Sequence, residues 1–275
     1  MAFGGDTPES YYDEGLTAAM RGEYEAAIGF FKQAVNLDNT FLAAFHQMAK
    51  CHLRLGRAEK AQELLRKVVQ VKPGQIPPRV DLGFALLETG HSAEARDHFN
   101  HVLGDKPGNA RAHLGLAQCS FQEGQWSAAA ELARGAMAQG GANFAALLLL
   151  GRAARLAGFI EDSVEALLQA GVIMEKTIET SPDAPEGYFL RGEVYLARED
   201  YTGALEQFRN ADDRAEPGKI YGAYGLHFTQ TDVLAKEGVC YQRLGRIDKA
   251  RELGERILQL DPGHKLGSAL AALEG

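Results

Sequence analysis

The glycines of this chain keep a fixed interval. Gly22, Gly56, Gly90, Gly124 and Gly158 fall 34 residues apart, and Gly245 marks the same place in a later unit. A fixed period of this size marks a repeat architecture, because each short unit cannot bury its own apolar face and must stack on a neighbour. Alignment on this glycine gives seven units, starting at Pro8, Leu42, Ile76, Ala110, Phe144, Pro185 and Thr231. Seven residues before the glycine position stands a small residue: Gly15, Ala49, Gly83, Ala117, Gly151, Gly192 and Gly238. Five after it come Ala27, Ala61, Ala95, Ala129, Ser163, Ala204 and Ala250, and four further on Phe31, Leu65, Phe99, Leu167 and Phe208.

Each unit therefore holds two apolar-periodic segments of helical length, separated by a glycine that can take a positive φ and end the first helix. The small residues let two backbones approach, and the large ones fill the space beside that contact. Pro73, Pro107 and Pro262 stop the second helix in three units. Two stretches break the period. The fifth unit runs on through Ile173–Ile178, which predicts a second helix longer by a turn or two, and residues 219–230 form an insertion rich in aromatics. Such an insertion is read either as a loop that carries function or as a spacer that covers apolar surface.

The stretch Gly22-Glu23-Tyr24-Glu25-Ala26-Ala27 through Phe31 and Ala34 resembles the tetratricopeptide repeat, as does the set Tyr188, Gly192, Tyr195, Tyr201, Ala204, Phe208 and Ala211. The resemblance runs from about Pro8 to His264. It implies an all-α fold: a right-handed α-α superhelical solenoid of tandem helix-turn-helix repeats, one domain over 1–275. The repeats are expected at about 8–41, 42–75, 76–109, 110–143, 144–177, 185–218 and 231–264, with a C-terminal capping helix over 265–275. Arg79 and His113 replace the first aromatic, Glu199 replaces one turn glycine, and Gly254 replaces one large apolar residue. These departures predict weaker local packing, not another fold.

Composition narrows the function classes. A net charge of −8 over 275 residues disfavours a general nucleic-acid binder. No apolar run approaches a membrane span, and the start of the chain lacks a charged-then-apolar leader pattern, so a cytoplasmic location is expected. The motifs of metalloproteases, nucleotide-binding loops and serine hydrolases are absent, which favours a non-enzyme without a cofactor. Cys51, Cys119 and Cys240 share one repeat position, where a small hydrophobe fits, so they are read as core residues. His91, His98 and His101, with Asp97 and Asp105 nearby, could share a helix face, but are read as an exposed outer surface.

In the family that the repeats resemble, the first helices line a concave groove. By that resemblance the groove holds Lys50, Arg54, Arg111, Arg152 and Arg155, opposed by Asp81 and Glu88. Leu148, Leu149, Phe189 and Leu190 are expected to be exposed there unless something covers them. A basic stripe beside an apolar patch suits a protein or peptide ligand with acidic and bulky apolar side chains. The carboxylate clamp known in the family is not expected, since Tyr12, Leu16, Gln47, Pro77 and Asp81 occupy its places. The expected function is a scaffold or adaptor. The alternatives are a peptide-responsive sensor and a self-assembling structural unit; the sequence sets no oligomeric state.

Overall fold

A computed structural model describes residues 7–274. Met1–Asp6, part of the stretch read above for a leader, and Gly275, the last residue of the expected cap, lie outside the described residues. The first helices of the repeats are α1 (Pro8–Met20), α3 (Leu42–Arg54), α5 (Ile76–Glu88), α7 (Ala110–Gln122), α9 (Phe144–Leu156), α11 (Pro185–Ala197) and α13 (Gln230–Arg243). Their partners are α2 (Tyr24–Leu37), α4 (Ala58–Val71), α6 (Ser92–Asp105), α8 (Trp126–Gly140), α10 (Ile160–Thr180), α12 (Tyr201–Asp212) and α14 (Ile247–Leu260). A short α15 (Lys265–Ala271) follows, and β1 (Tyr221–Ala223) and β2 (Leu226–Phe228) form a hairpin between α12 and α13. The chain divides into two compact units, Met1–Gly141 and Ala142–Gly275.

The helix boundaries follow local chemistry. Gly22, Gly56, Gly90, Gly124, Gly158 and Gly245 all take φ between 64° and 84°, a region that costs a side chain but not glycine. Glu199 takes φ 60° at the same place in the sixth repeat, and its carboxylate pairs with Arg155. Asn109 and Asn143 cap α7 and α9 by accepting from the N–H groups of Ala112 and Ala146.

The small-against-large pairing seen in the sequence is a direct contact. A Cβ added to Gly15, Gly83 or Gly192 would stand 2.5 Å from the ring of Phe31, Phe99 or Phe208. Each ring is fully buried, so each repeat is locked where its first helix lacks a side chain. Gly254, which replaces the large residue in the last repeat, is explained differently. A Cβ there would overlap the backbone of Leu270 and Ala271 in α15. Leu270, 1% exposed, crosses over and lies where a Cβ on Gly238 would be. The cap thus supplies the missing large side chain, and packing is not weakened there; this corrects the sequence expectation.

The fifth repeat's second helix is long, 21 residues, and its added turns pack against the start of α11, where Gly187 faces Ile178. The insertion folds as a hairpin with Tyr221 opposite Phe228 and Ala223 opposite Leu226. Tyr224 and Gly225 turn it at φ 54° and 82°. Phe228 stacks on Phe189 at 3.9 Å, and Tyr224 meets Phe144 and bonds Thr177. Of the two readings of the insertion, the covering one describes its contacts.

Candidate functional site

In unit 1, α1, α3, α5 and α7 touch one another in sequence, forming the more closely spaced layer. On α3, His46, Lys50 and Arg54 succeed one another at intervals of four residues and so share one side of the helix. The three differ in what they meet. His46 Nε2 lies 2.7 Å from Asp81 on α5, and Arg111 on α7 donates to the other Asp81 oxygen at 2.7 Å. Burial would raise the Asp81 carboxyl, but the bond from His46 and the charge and bond of Arg111 outweigh it and hold it below the ordinary carboxylate range. Lys50 and Arg54 are exposed, and neither forms an ion pair or hydrogen bond among the described residues.

Beside them a cavity of about 550 Å³ opens between the first three repeats. Tyr12, Phe41, Pro77 and Pro78 form its apolar walls, and His46, Gln47, Lys72 and Gln75 bring polar groups to it. The Tyr12 and Phe41 rings meet at 5.0 Å.

Unit 2 treats its charges otherwise. Glu193 on α11 is 4% exposed and sits between Arg152 of α9, which donates to it, and Lys236 of α13, whose ammonium is 2.8 Å away. Burial would raise its carboxyl, but Lys236 and Arg152 together hold it lowered. Arg155 is committed to Glu199. Arg152 and Arg155 therefore serve as ties between repeats in this structure. Removing Arg152 leaves a buried carboxylate with one cation. Arg152→Ala is expected to cost about 2 kcal/mol, read as a lower urea midpoint, with less loss in Glu193→Gln/Arg152→Ala than the sum of the single changes.

Leu148, Leu149, Phe189 and Leu190 are not exposed, which corrects the sequence expectation. They are 3%, 9%, 5% and 0% exposed. Nine of the 13 residues of α9 are buried, because the helix is apolar almost all round. Phe189 is covered by Phe208 and by Phe228 of the hairpin.

The other singled-out residues find separate partners. His91 meets the Thr89 hydroxyl, His98 faces Glu94 and Arg79, and His101 faces Asp105. Among the described residues no group of three or more His, Cys, Asp or Glu is placed to hold a metal ion. The cysteines are buried and free, and burial pushes the Cys51 thiol up to about 11 and that of Cys240 to about 12. Among the described residues no helix is long and apolar enough to cross a membrane.

Glu193, Lys236 and His46 escaped the sequence reading as tying residues. A signal existed for the first: Arg152 and Glu193 occupy the same place in successive repeats and carry opposite charge.

Tetratricopeptide-repeat profiles match residues 18–82, 56–119 and 86–136, then 148–219 and 231–264. Human tetratricopeptide repeat protein 6 is 26% identical over 69% of this chain and 35% of its own length. Human DnaJ homolog subfamily C member 7 is 25% identical over 92% of this chain and 53% of its own. The chain thus spans between a third and about half of the length of these relatives. A tetratricopeptide repeat protein from Parabacteroides merdae superposes with a TM-score of 0.61 over 96% of both chains at 13% identity, a likeness of fold. The recurring turn glycine, the ring packed on a bare helix and the profiles that match from repeat to repeat agree: the chain belongs to the tetratricopeptide repeat family.

Proposed function

We propose that this chain is a non-catalytic scaffold that holds a partner protein or peptide on the first-helix face of unit 1. The fold class presents extended surfaces built from successive first helices and commonly mediates protein–protein interaction. The observation that carries the reading is a contrast in charge use. Arg152, Arg155 and Lys236 are spent on Glu199 and Glu193 inside unit 2, whereas Lys50 and Arg54 stand exposed in unit 1 with no ion pair among the described residues. Arg111, though bonded to Asp81, keeps 58% of its side chain exposed and lies over the Phe84 ring. Solvated cations on a preformed face cost little to desolvate only when a carboxylate replaces the water, so the ligand is acidic.

Capture from native lysate with wild type, Lys50→Glu/Arg54→Glu and a control reversal at exposed Lys176 tests this. All three must first show equal helicity. A protein retained by wild type and by the Lys176 variant, and lost by the double reversal, is the expected result. A partner that binds all three equally removes the unit 1 face as the site.

A further inference from the structure

The cavity beside α3 and the two free cations on α3 belong to one surface, and together they specify a ligand more closely than either alone. The cavity walls are two aromatic rings and two prolines, with room of about 550 Å³, within the range of small-ligand pockets. Flat, rigid walls of this kind suit a ring, by offset or edge contacts and at low entropic cost. The polar groups at the opening are free: among the described residues the side chains of Gln47, Gln75 and Lys72 make no hydrogen bond or ion pair. Carboxamides presented in this way can pair with the N–H and C=O of an extended backbone. Asp38, the acid at the rim, is already bonded to the Thr40 hydroxyl and N–H.

The spacing along α3 sets the rest. Ala43, His46 and Gln47 line the cavity, and Lys50 and Arg54 follow one and two turns on. Four helical residues advance about 6 Å, and two residues of an extended chain advance about 6.6 Å. An extended peptide lying along α3 therefore brings every second residue opposite the next cation, with alternate side chains pointing at the protein.

We propose that this cavity seats an aromatic side chain of an extended peptide whose acidic residues stand two and four positions away, over Lys50 and Arg54. The inference rests on the scaffold reading above and names the chemistry of its ligand. The aromatic residue supplies the buried anchor, and the carboxylates set register and salt dependence.

The test is fluorescence anisotropy of the full chain with a dye-labelled peptide Gly-Ser-Phe-Gly-Glu-Gly-Glu-Gly-Ser and with its reversed sequence, since α3 can be followed in either direction. One of the two is expected to bind saturably below roughly 100 µM. Affinity should fall at least tenfold on changing the peptide Phe to Gly, and severalfold on moving both Glu residues by one position. Lys50→Ala/Arg54→Ala should weaken binding and flatten its dependence on salt. Ala43→Trp, which places a ring in the cavity from an exposed helix position, should abolish it. If that variant loses helicity, Gln75→Trp in the adjoining loop fills the opening instead. Binding of neither peptide, binding indifferent to the acid register, or binding unchanged in both filled variants overturns the proposal. The lysate capture separates the two failures. A captured partner lost in Lys50→Glu/Arg54→Glu but retained by Ala43→Trp sinks the cavity inference and leaves the scaffold reading standing. A partner insensitive to both sinks the two together.

Discussion

Gly254→Phe is expected to lower the unfolding free energy by about 3 kcal/mol or more, although it restores the large residue that most repeats carry at that place. Phe31, Phe99 and Phe208 hold the equivalent position. In the last repeat that space belongs to α15, whose backbone at Leu270 and Ala271 passes directly over Gly254. A ring there forces the cap off α14. It would uncover Leu270, worth about 2 kcal/mol of apolar burial, and strain what remains. Chemical denaturation of the full chain measures the loss, and Leu270→Ala should cost about 2–4 kcal/mol by emptying the same slot from the other side. The decisive comparison is the chain shortened to end at His264. There Gly254→Phe has no cap to displace and should be neutral or stabilising. An equal loss in both chains would show that the ring does not fit for another reason.

Glu237 offers the second large effect, and here the expected change is a gain. It stands where Met48, Leu82, Leu116 and Leu150 stand in other repeats, buried between helices, and is itself 6% exposed. One carboxylate oxygen has no hydrogen-bond partner among the described residues, and the other lies 4.0 Å from Arg209 Nε. Arg209 instead donates to the Tyr241 hydroxyl. Burial, with Asp212 adding to it, raises the Glu237 carboxyl from 4.5 to about 7, against the weaker pull of Arg209 and Arg256. The sign follows from linkage. The folded chain holds this proton more tightly than the unfolded one, so the contribution to stability is greatest below pH 4.5 and falls as pH rises towards 7. The full loss is about 3 kcal/mol. Glu237→Gln should therefore gain about 2–3 kcal/mol at pH 8 and almost nothing near pH 4.5. Urea midpoints of both proteins across this range give the answer. A difference that does not grow with pH would mean that Glu237 is ionised in the fold at little cost. Glu193 has the opposite sign: its lowered carboxyl stabilises at neutral pH, and that support is lost as pH falls below the ordinary carboxylate range.

These two residues show how far the sequence could be read. The turn glycine and the small residue seven places before it are local requirements, one for a positive φ and one for a bare helix surface. Such requirements recur with the repeat, so they appear as a period in the sequence. They located the first helices at Pro8, Leu42, Ile76, Ala110, Phe144 and Pro185, where the structure has them. The long α10 was legible for the same reason, since its apolar pattern continues past the expected end.

What a residue meets across the fold was not legible. Gly254 read as a defect because its partner, Leu270, comes from outside the repeat, where no period applies. Phe189 read as groove surface because the hairpin that covers it, 32 or more residues downstream, is invisible to the repeat count, and Leu148 and Leu149 did so because the neighbours that bury both sides of α9 come from other helices. Arg152 and Arg155 read as part of a basic ligand-binding groove, and their ties to Glu193 and Glu199 went unseen because ion pairs depend on distances between helices of different repeats. The sequence alone determined the repeat, the helix boundaries and the family, since each depends on neighbours within one unit. Tertiary packing alone decided which charges remain free, because the carboxylate that neutralises each one is brought near by a separate repeat; among the described residues it left Lys50 and Arg54 without an ion pair beside an open cavity and bound Arg152 and Arg155 into the fold.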